Sequence, residues 1–597
     1  MKRRLLFLTI MCLLALPLVA CVGTDIPADT TVDDTPAADG PQDTADVTDP
    51  ITEKATDAPT EPAETEPVTT EAPTDAVTEP VIEPPIVDVM VGETLDAPHA
   101  TQFTVSNVFA SDMVVQRGEH IRVWGWADAD QNGKKVTGEF KGMFAEAIIE
   151  DGAWEITFGA RMEASAELGH TMRIYADGVS YEFHDVLVGD VYMVVGQSNV
   201  AYTVANHLQY NDTPDKGGKA TFDYSAPIRL HFNSLNQTAG YPKRGTAEVC
   251  KEVVSGSTWQ KADSYAKIEG FTAIGYYFAY NYLKITDNQV PIGLIEINGN
   301  GQPLGAFMCN DVADAKKTDM YNSMKGYYVT TGSNADGGRF LYNHYMFPFE
   351  HYAMAGMIWY QGESDCLSAN AKVYVENFSA LMTYMRGTHN LINKEFPVYY
   401  VEFPTIFQRP ANNSGTWHYK DVGLIRAAMG EIPRVLQNSY QIVSADLWSD
   451  DQYYNNLHPN CKFEQAQRAA MVAAVVNGEG EQSMVKANGP ILVSMTVSDD
   501  GKKAVLTYEN VGDGLKTTDG GNIVKGFVIY KKNCTIDVNA KITATITAHN
   551  QITIESDTAI TGIAYNAITT NVYGVDMNLC NSKNIPAGAT IMINAND

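Results

Sequence analysis

The middle of this 597-residue chain predicts a parallel α/β/α layer structure, and two observations carry that prediction. Short, continuous apolar runs recur at 191–195, 292–297, 354–359, 398–401 and 442–445, as expected of strands buried on both faces. Segments with apolar residues at helical spacing (271–283, 371–386 and 463–476) lie between or after these runs, which is the pattern of helical crossovers covering a sheet. A third observation sets the flanks apart. Residues 101–188 and 486–597 alternate apolar and polar positions in short stretches broken by Gly, Asp and Asn, so each reads as an antiparallel, β-sandwich-like domain. The central domain is taken as 189–485.

The elements before residue 101 are not globular. Lys2, Arg3 and Arg4 precede the apolar run 5–20, the layout of a secretory signal peptide over 1–20. Leu18-Val19-Ala20-Cys21 resembles the bacterial lipobox, which implies a diacylated Cys21 and a lipid anchor in the cell membrane with the protein facing outward. Residues 21–100 form an acidic Thr/Pro-rich tether: from Val22 on it has 20 Asp and Glu against the single Lys54, eleven prolines by Pro85, and no aromatic before Phe103. Such a chain cannot bury enough apolar surface to offset its entropy and is expected to stay disordered as a spacer. The tether thus accounts for much of the net charge of −30, and the body has no basic stripe for a phosphate backbone, which excludes nucleic acid as a partner. Cys250, Cys309, Cys366, Cys461, Cys534 and Cys580 remain in the body without any CxxC pair or zinc spacing, so no metal site is expected.

In sheets of this kind ligands bind at the carboxyl ends of the strands. Three chemistry-bearing turns fall there. The first run leads into Gly196-Gln197-Ser198-Asn199, the third into Gln361-Gly362-Glu363-Ser364, and the last is followed by Leu457-His458-Pro459. A hydroxyl, an imidazole to take its proton and an acid to orient the imidazole are the parts of an ester hydrolase. Backbone amides at a glycine turn and a Gln side chain are suitable donors to an oxyanion. The Gly-x-Ser-x-Gly elbow of lipases is absent, because Val200 follows Asn199.

Taken together, Gly189-Asp190-Val191 through Asn199, Trp359-Tyr360-Gln361-Gly362-Glu363-Ser364 and His458-Pro459 resemble the sialate O-acetylesterase family of SGNH-type hydrolases. The likeness extends from about residue 105 to the end. It includes Asn107-Val108-Phe109, Met113-Val114-Val115-Gln116-Arg117, Val123-Trp124-Gly125-Trp126-Ala127, Phe271-Thr272-Ala273-Ile274-Gly275-Tyr276, Pro291-Ile292-Gly293-Leu294-Ile295 and Ile585-Pro586-Ala587. The resemblance implies an SGNH-hydrolase-like sheet and a serine carboxylic-ester hydrolase that releases acetyl groups from sugars without a cofactor. Ser198 would be the nucleophile, His458 the base and then the acid, and Glu363 the residue orienting His458. The oxyanion would be met by the amide of Ser198, the side chain of Gln361 and an amide from the loop 298–301, taken as Gly301.

Two departures accompany the likeness. Asn300-Gly301 stands where relatives often have two glycines, and Asn455 and Asn456 stand where many SGNH enzymes have an Asp before the His. Glu363 therefore leads as third member, with Asp450 and Asp451 as substitutes. The expected partner is an acetylated carbohydrate; sialic acid, xylan and other acetylated glycans present the same ester. The other reading is a surface glycan-binding protein on the same scaffold with impaired catalysis.

Overall fold

The computed structural model describes residues 94–593 apart from 234–248, 255, 310–338, 368–370, 403–421, 445, 448–457, 481–482, 532–534, 538 and 568–576. The signal segment, Cys21, the tether up to residue 93, Asp450, Asp451, Asn455 and Asn456 lie outside the described residues. All described elements belong to one of the chain's two compact units.

An eight-stranded sheet forms the centre. Its strands are β1 (Val114–Gln116), β2 (Leu187–Gly196), β3 (Ile228–Phe232), β4 (Trp259–Lys261), β5 (Ile292–Asn298), β6 (Gly356–Tyr360), β7 (Val398–Val401) and β8 (Ser439–Ile442). Their order is β4-β3-β5-β2-β6-β7-β8, with β1 alongside the start of β2; every pairing is parallel except β3 with β4. β2, β5, β6 and β7 are buried along their whole lengths, which is why they read as unbroken apolar runs. The chain leaves β2 toward β3 and β5 on one side, then crosses to β6, β7 and β8 on the other. β2 is therefore the topological switch point, where a crevice opens beyond the strand ends.

Helices cover both faces. Helix α1 (Ser198–Ala201) follows β2 directly, and α2 (Ala273–Ile285), α3 (Ala371–Thr388), α4 (Val422–Met429) and α5 (Lys462–Val476) come later. Tyr192 packs edge-on to Phe278 of α2, and Phe463 of α5 meets Tyr277 of α2 at 5.4 Å between ring centroids, so α2 and α5 share one face. Trp359 is in register with Val195, three positions beyond Tyr192, so it points to the other face, where it meets Phe378 of α3 at 5.3 Å. The result is the three-layer arrangement expected.

Two antiparallel sheets precede the centre, Thr104–Val105/Arg122–Trp126/Ala153–Thr157 and Met143–Ile148/Lys135–Phe140/Met172–Ala176/Val179–Phe183, and their apolar residues merge into the core of the central sheet. The C-terminal part has five-, four- and two-stranded antiparallel sheets around a separate core that includes Leu506, Ile529, Ile554 and Ile563.

The structure departs from the sequence pattern in three places. Val114–Gln116 alternates like its β neighbours in sequence, yet it pairs parallel with Leu187–Gly189 and so belongs to the central sheet. The cause is electrostatic as well as apolar: Arg117 forms an ion pair with buried Asp190 of β2 at 2.8 Å, and the Gln116 carboxamide donates to the same carboxylate at 3.2 Å. β3 and β4 are too short and polar (Ile-Arg-Leu-His-Phe and Trp-Gln-Lys) to stand out as apolar runs. The final strand ends at Ile442 rather than beginning there.

Candidate active site

Ser198 owes its place to a close approach of backbones. A Cβ on Gly196 would lie 2.0 Å from the Tyr360 carbonyl oxygen, so only glycine lets β2 run against β6 at the point where the chain turns into α1. Ser198 is then the first residue of α1, half-buried, with Gln197 as the cap; the Val200 and Ala201 amides donate to the Gln197 carbonyl. Among the described residues the Ser198 amide donates to no carbonyl, as expected in a helix's first turn. The loop after β5 lies against this turn, since the Gly299 amide donates to the Gly196 carbonyl at 3.0 Å. In it Gly301 has φ +66°, a left-handed conformation suited to glycine, and its amide likewise donates to no carbonyl among the described residues.

Glu363 follows β6 and is 1% exposed. Its Oε1 accepts from the Asn199 carboxamide nitrogen, and its Oε2 is buried without a partner. Burial pushes this carboxyl up to about 7, against the pull of the Asn199 bond and the Lys462 charge. The Asn199 oxygen in turn accepts from Lys462 Nζ at 2.8 Å, and the same ammonium donates to the Pro459 carbonyl at 2.7 Å. The loop carrying His458 is held to the Ser198 region by further bonds: the Tyr202 hydroxyl donates to Asn460 Oδ1 at 3.3 Å and the Asn211 carboxamide to the Asn460 carbonyl at 3.0 Å. His458 itself is half-buried, its Nε2 is buried without a partner, and burial together with Lys462 depresses it to about 4, so the ring is neutral near pH 7.

Ser198, Glu363 and His458 are thus gathered at one sheet edge. The polar chain that gathers them runs through Asn199 and Lys462, and no hydrogen bond joins the Ser198 hydroxyl to His458 or His458 to Glu363.

Gln361, the side chain expected to meet the oxyanion, is fully buried, and its Nε2 faces three acceptors: Asp365 Oδ2 at 2.6 Å, the Gln302 carbonyl at 3.2 Å and Gln197 Oε1 at 3.4 Å. Its own oxygen accepts from the Tyr374 hydroxyl at 3.1 Å, so the side chain braces the cap residue Gln197, whose Oε1 also receives the Ser364 amide at 3.1 Å. Asn199, Lys462 and Asp365 are site residues that motif reasoning did not single out. Asn199 stood inside the Gly-Gln-Ser-Asn turn and Lys462 four positions after His458, yet nothing local distinguishes them from a helix residue and a surface lysine.

Buried strands with helices on both faces and a Ser-bearing turn at the switch point define an SGNH-like α/β hydrolase fold with added β-rich domains. A solved structure described as a novel carbohydrate acetylesterase from Xanthomonas citri shares this fold, with a TM-score of 0.60 and 23% identity, covering 82% of this chain and 99% of that one. Residues 188–473 match the family described as carbohydrate esterase, sialic acid-specific acetylesterase, and this segment is similar to that family. Sialate O-acetylesterases of Homo sapiens and Pongo abelii are each 27% identical over 312 residues, or 50% of this chain and 55% of theirs. The chain thus matches about half the length of these curated relatives.

Proposed function

We propose that the protein is a carbohydrate O-acetylesterase working through a Ser-His-Glu acyl-enzyme. Ser198 attacks the acetyl carbonyl and His458 takes its proton. The amides of Ser198 and Gly301 meet the oxyanion; His458 returns the proton to the departing sugar hydroxyl, and a water then releases acetate. Glu363 holds the imidazolium that forms, and no metal or organic cofactor enters the sequence of steps. One observation carries this reading: a continuous hydrogen-bonded chain ties the Ser198 turn to both Glu363 and the His458 loop at the carboxyl edge of the sheet. The missing Ser–His bond does not oppose it, because such bonds are commonly long before substrate is in place. Export and lipid anchoring at Cys21, with the acidic tether as spacer, complete the proposal and rest on the sequence alone.

The same missing bond favours the second reading, a glycan-binding protein with impaired catalysis. A fluorophosphonate probe separates the two: labelling of Ser198 is expected for the esterase, and no labelling of that residue for the binding protein. Acetate release from acetylated sialosides, xylan and other acetylated glycans then assigns the substrate.

The acid can be assigned by mutation. Glu363→Gln is expected to lower kcat by on the order of 10²–10⁴-fold, and more than Asp450→Asn or Asp451→Asn. A larger loss from either Asp change in p-nitrophenyl acetate hydrolysis gives the third place to that residue.

A further inference from the structure

Lys462 is fully buried at the first position of the 15-residue helix α5. Both circumstances are costly for a cation. Removing an ammonium from water costs several kcal/mol even after relaxation, and the positive end of a helix repels it. The slot would suit an apolar side chain, since Nζ lies 4.9 Å from the ring centroid of Tyr202 and 5.2 Å from that of Tyr360. Its two hydrogen-bond acceptors, Asn199 Oδ1 and the Pro459 carbonyl, are neutral.

The arrangement has chemical consequences. An ammonium only donates, so it takes the oxygen of the Asn199 carboxamide and thereby turns the nitrogen toward Glu363. Asn199 is the neighbour of Ser198, and Pro459 is the neighbour of His458. One buried cation therefore fixes the donor to the acid, the turn of the nucleophile and the loop of the base.

We propose that Lys462 is a positioning residue of the esterase centre, which acts through Asn199 to orient Glu363 and through Pro459 to hold the His458 loop against the Ser198 turn. The proposal rests on the esterase reading given above. The titratable groups around this chain are few. Lys462 faces Glu363, His458, His207 and the Cys461 thiol, which burial pushes up to about 12 and so keeps neutral; Glu363 also faces Asp365 and the Tyr360 and Tyr374 hydroxyls, which burial keeps protonated. Burial lowers Lys462 to about 8, which leaves it mostly charged at pH 7.

The test uses the full chain and p-nitrophenyl acetate. Lys462→Met is expected to lower kcat by on the order of 10²-fold while KM changes by less than about threefold, as for a residue that places reacting groups without touching substrate. Its charge favours the ionised Glu363, so its removal raises the Glu363 pKa and moves the acid limb of the kcat profile to higher pH. Asn199→Ala combined with Lys462→Met is expected to lose no more than the worse single variant. Unchanged kcat and pH profile in Lys462→Met, or losses that multiply in the double variant, overturn the proposal. Should Lys462→Met not fold, Lys462→Gln is measured by the same criteria; failure of both to fold also overturns it, because the role would then be structural. Ser198→Ala in parallel separates this outcome from failure of the esterase reading: a dead Ser198→Ala beside an unaltered Lys462→Met removes only the role of Lys462.

Discussion

Ser198→Ala is expected to lower kcat for p-nitrophenyl acetate by on the order of 10⁵–10⁶-fold, the loss seen when the serine of such a unit is removed, and to shift the thermal unfolding midpoint by no more than about 2 °C. The two halves follow from different features. The acyl-enzyme cannot form without the hydroxyl, and the remaining amides of residue 198 and Gly301 stabilise only whatever oxyanion water attack generates. Stability is spared because the Ser198 hydroxyl is half-buried and makes no hydrogen bond with the described residues, while the turn itself is held by Gly196, by the Gln197 cap and by Asn199. Turnover retained by the Ala variant removes the mechanism; a large fall in the midpoint makes Ser198 a structural residue.

Arg426→Met is expected to be the most destabilising single change, by about 3–5 kcal/mol, because it strands a buried carboxylate. Glu402, just beyond β7, and Arg426 of α4 are both wholly buried and lie 3.5 Å apart. The C-terminal part plugs into this pair: the Ala589 amide donates to Glu402 Oε1 at 3.2 Å and Arg426 donates to the Asn566 carbonyl at 2.6 Å. With the arginine gone, Glu402 must protonate or draw water into the contact, and the docking of the strand Thr590–Ile593 loosens. Denaturant unfolding of the full chain followed by tryptophan fluorescence measures the loss, and Arg426→Met with Glu402→Gln should recover part of it because no charge is then stranded. A double variant less stable than the single one contradicts this account.

Much of the fold was legible because burial on both faces leaves a strong sequence signature. β2, β5, β6 and β7 are apolar runs for that reason, and α5 carries helical spacing because its buried positions recur along one side, whereas α2 is buried all round from Ala273 to Leu283. β3 was not legible, since His231 and Arg229 are buried there among apolar neighbours. The turns bearing Ser198 and Glu363 could be placed because each directly follows a strand of this readable kind. The burial of Gln361 and its bond to the Gln302 carbonyl were not legible, because they depend on packing between residues far apart in the chain.

What the sequence determined by itself was the layer architecture and the sheet edge to which the reactive side chains belong, because periodicity and strand-end turns are local and survive in one dimension. What only the tertiary structure decided was the wiring of that edge. Val114–Gln116 was drawn into the central sheet by Asp190, Gln361 was bonded to the Gln302 carbonyl, and Lys462 was buried under two tyrosine rings as the link between Asn199 and Pro459. Each of these is a contact between residues far apart in the chain or a desolvation imposed by packing, and neither leaves a mark on the residues that flank it.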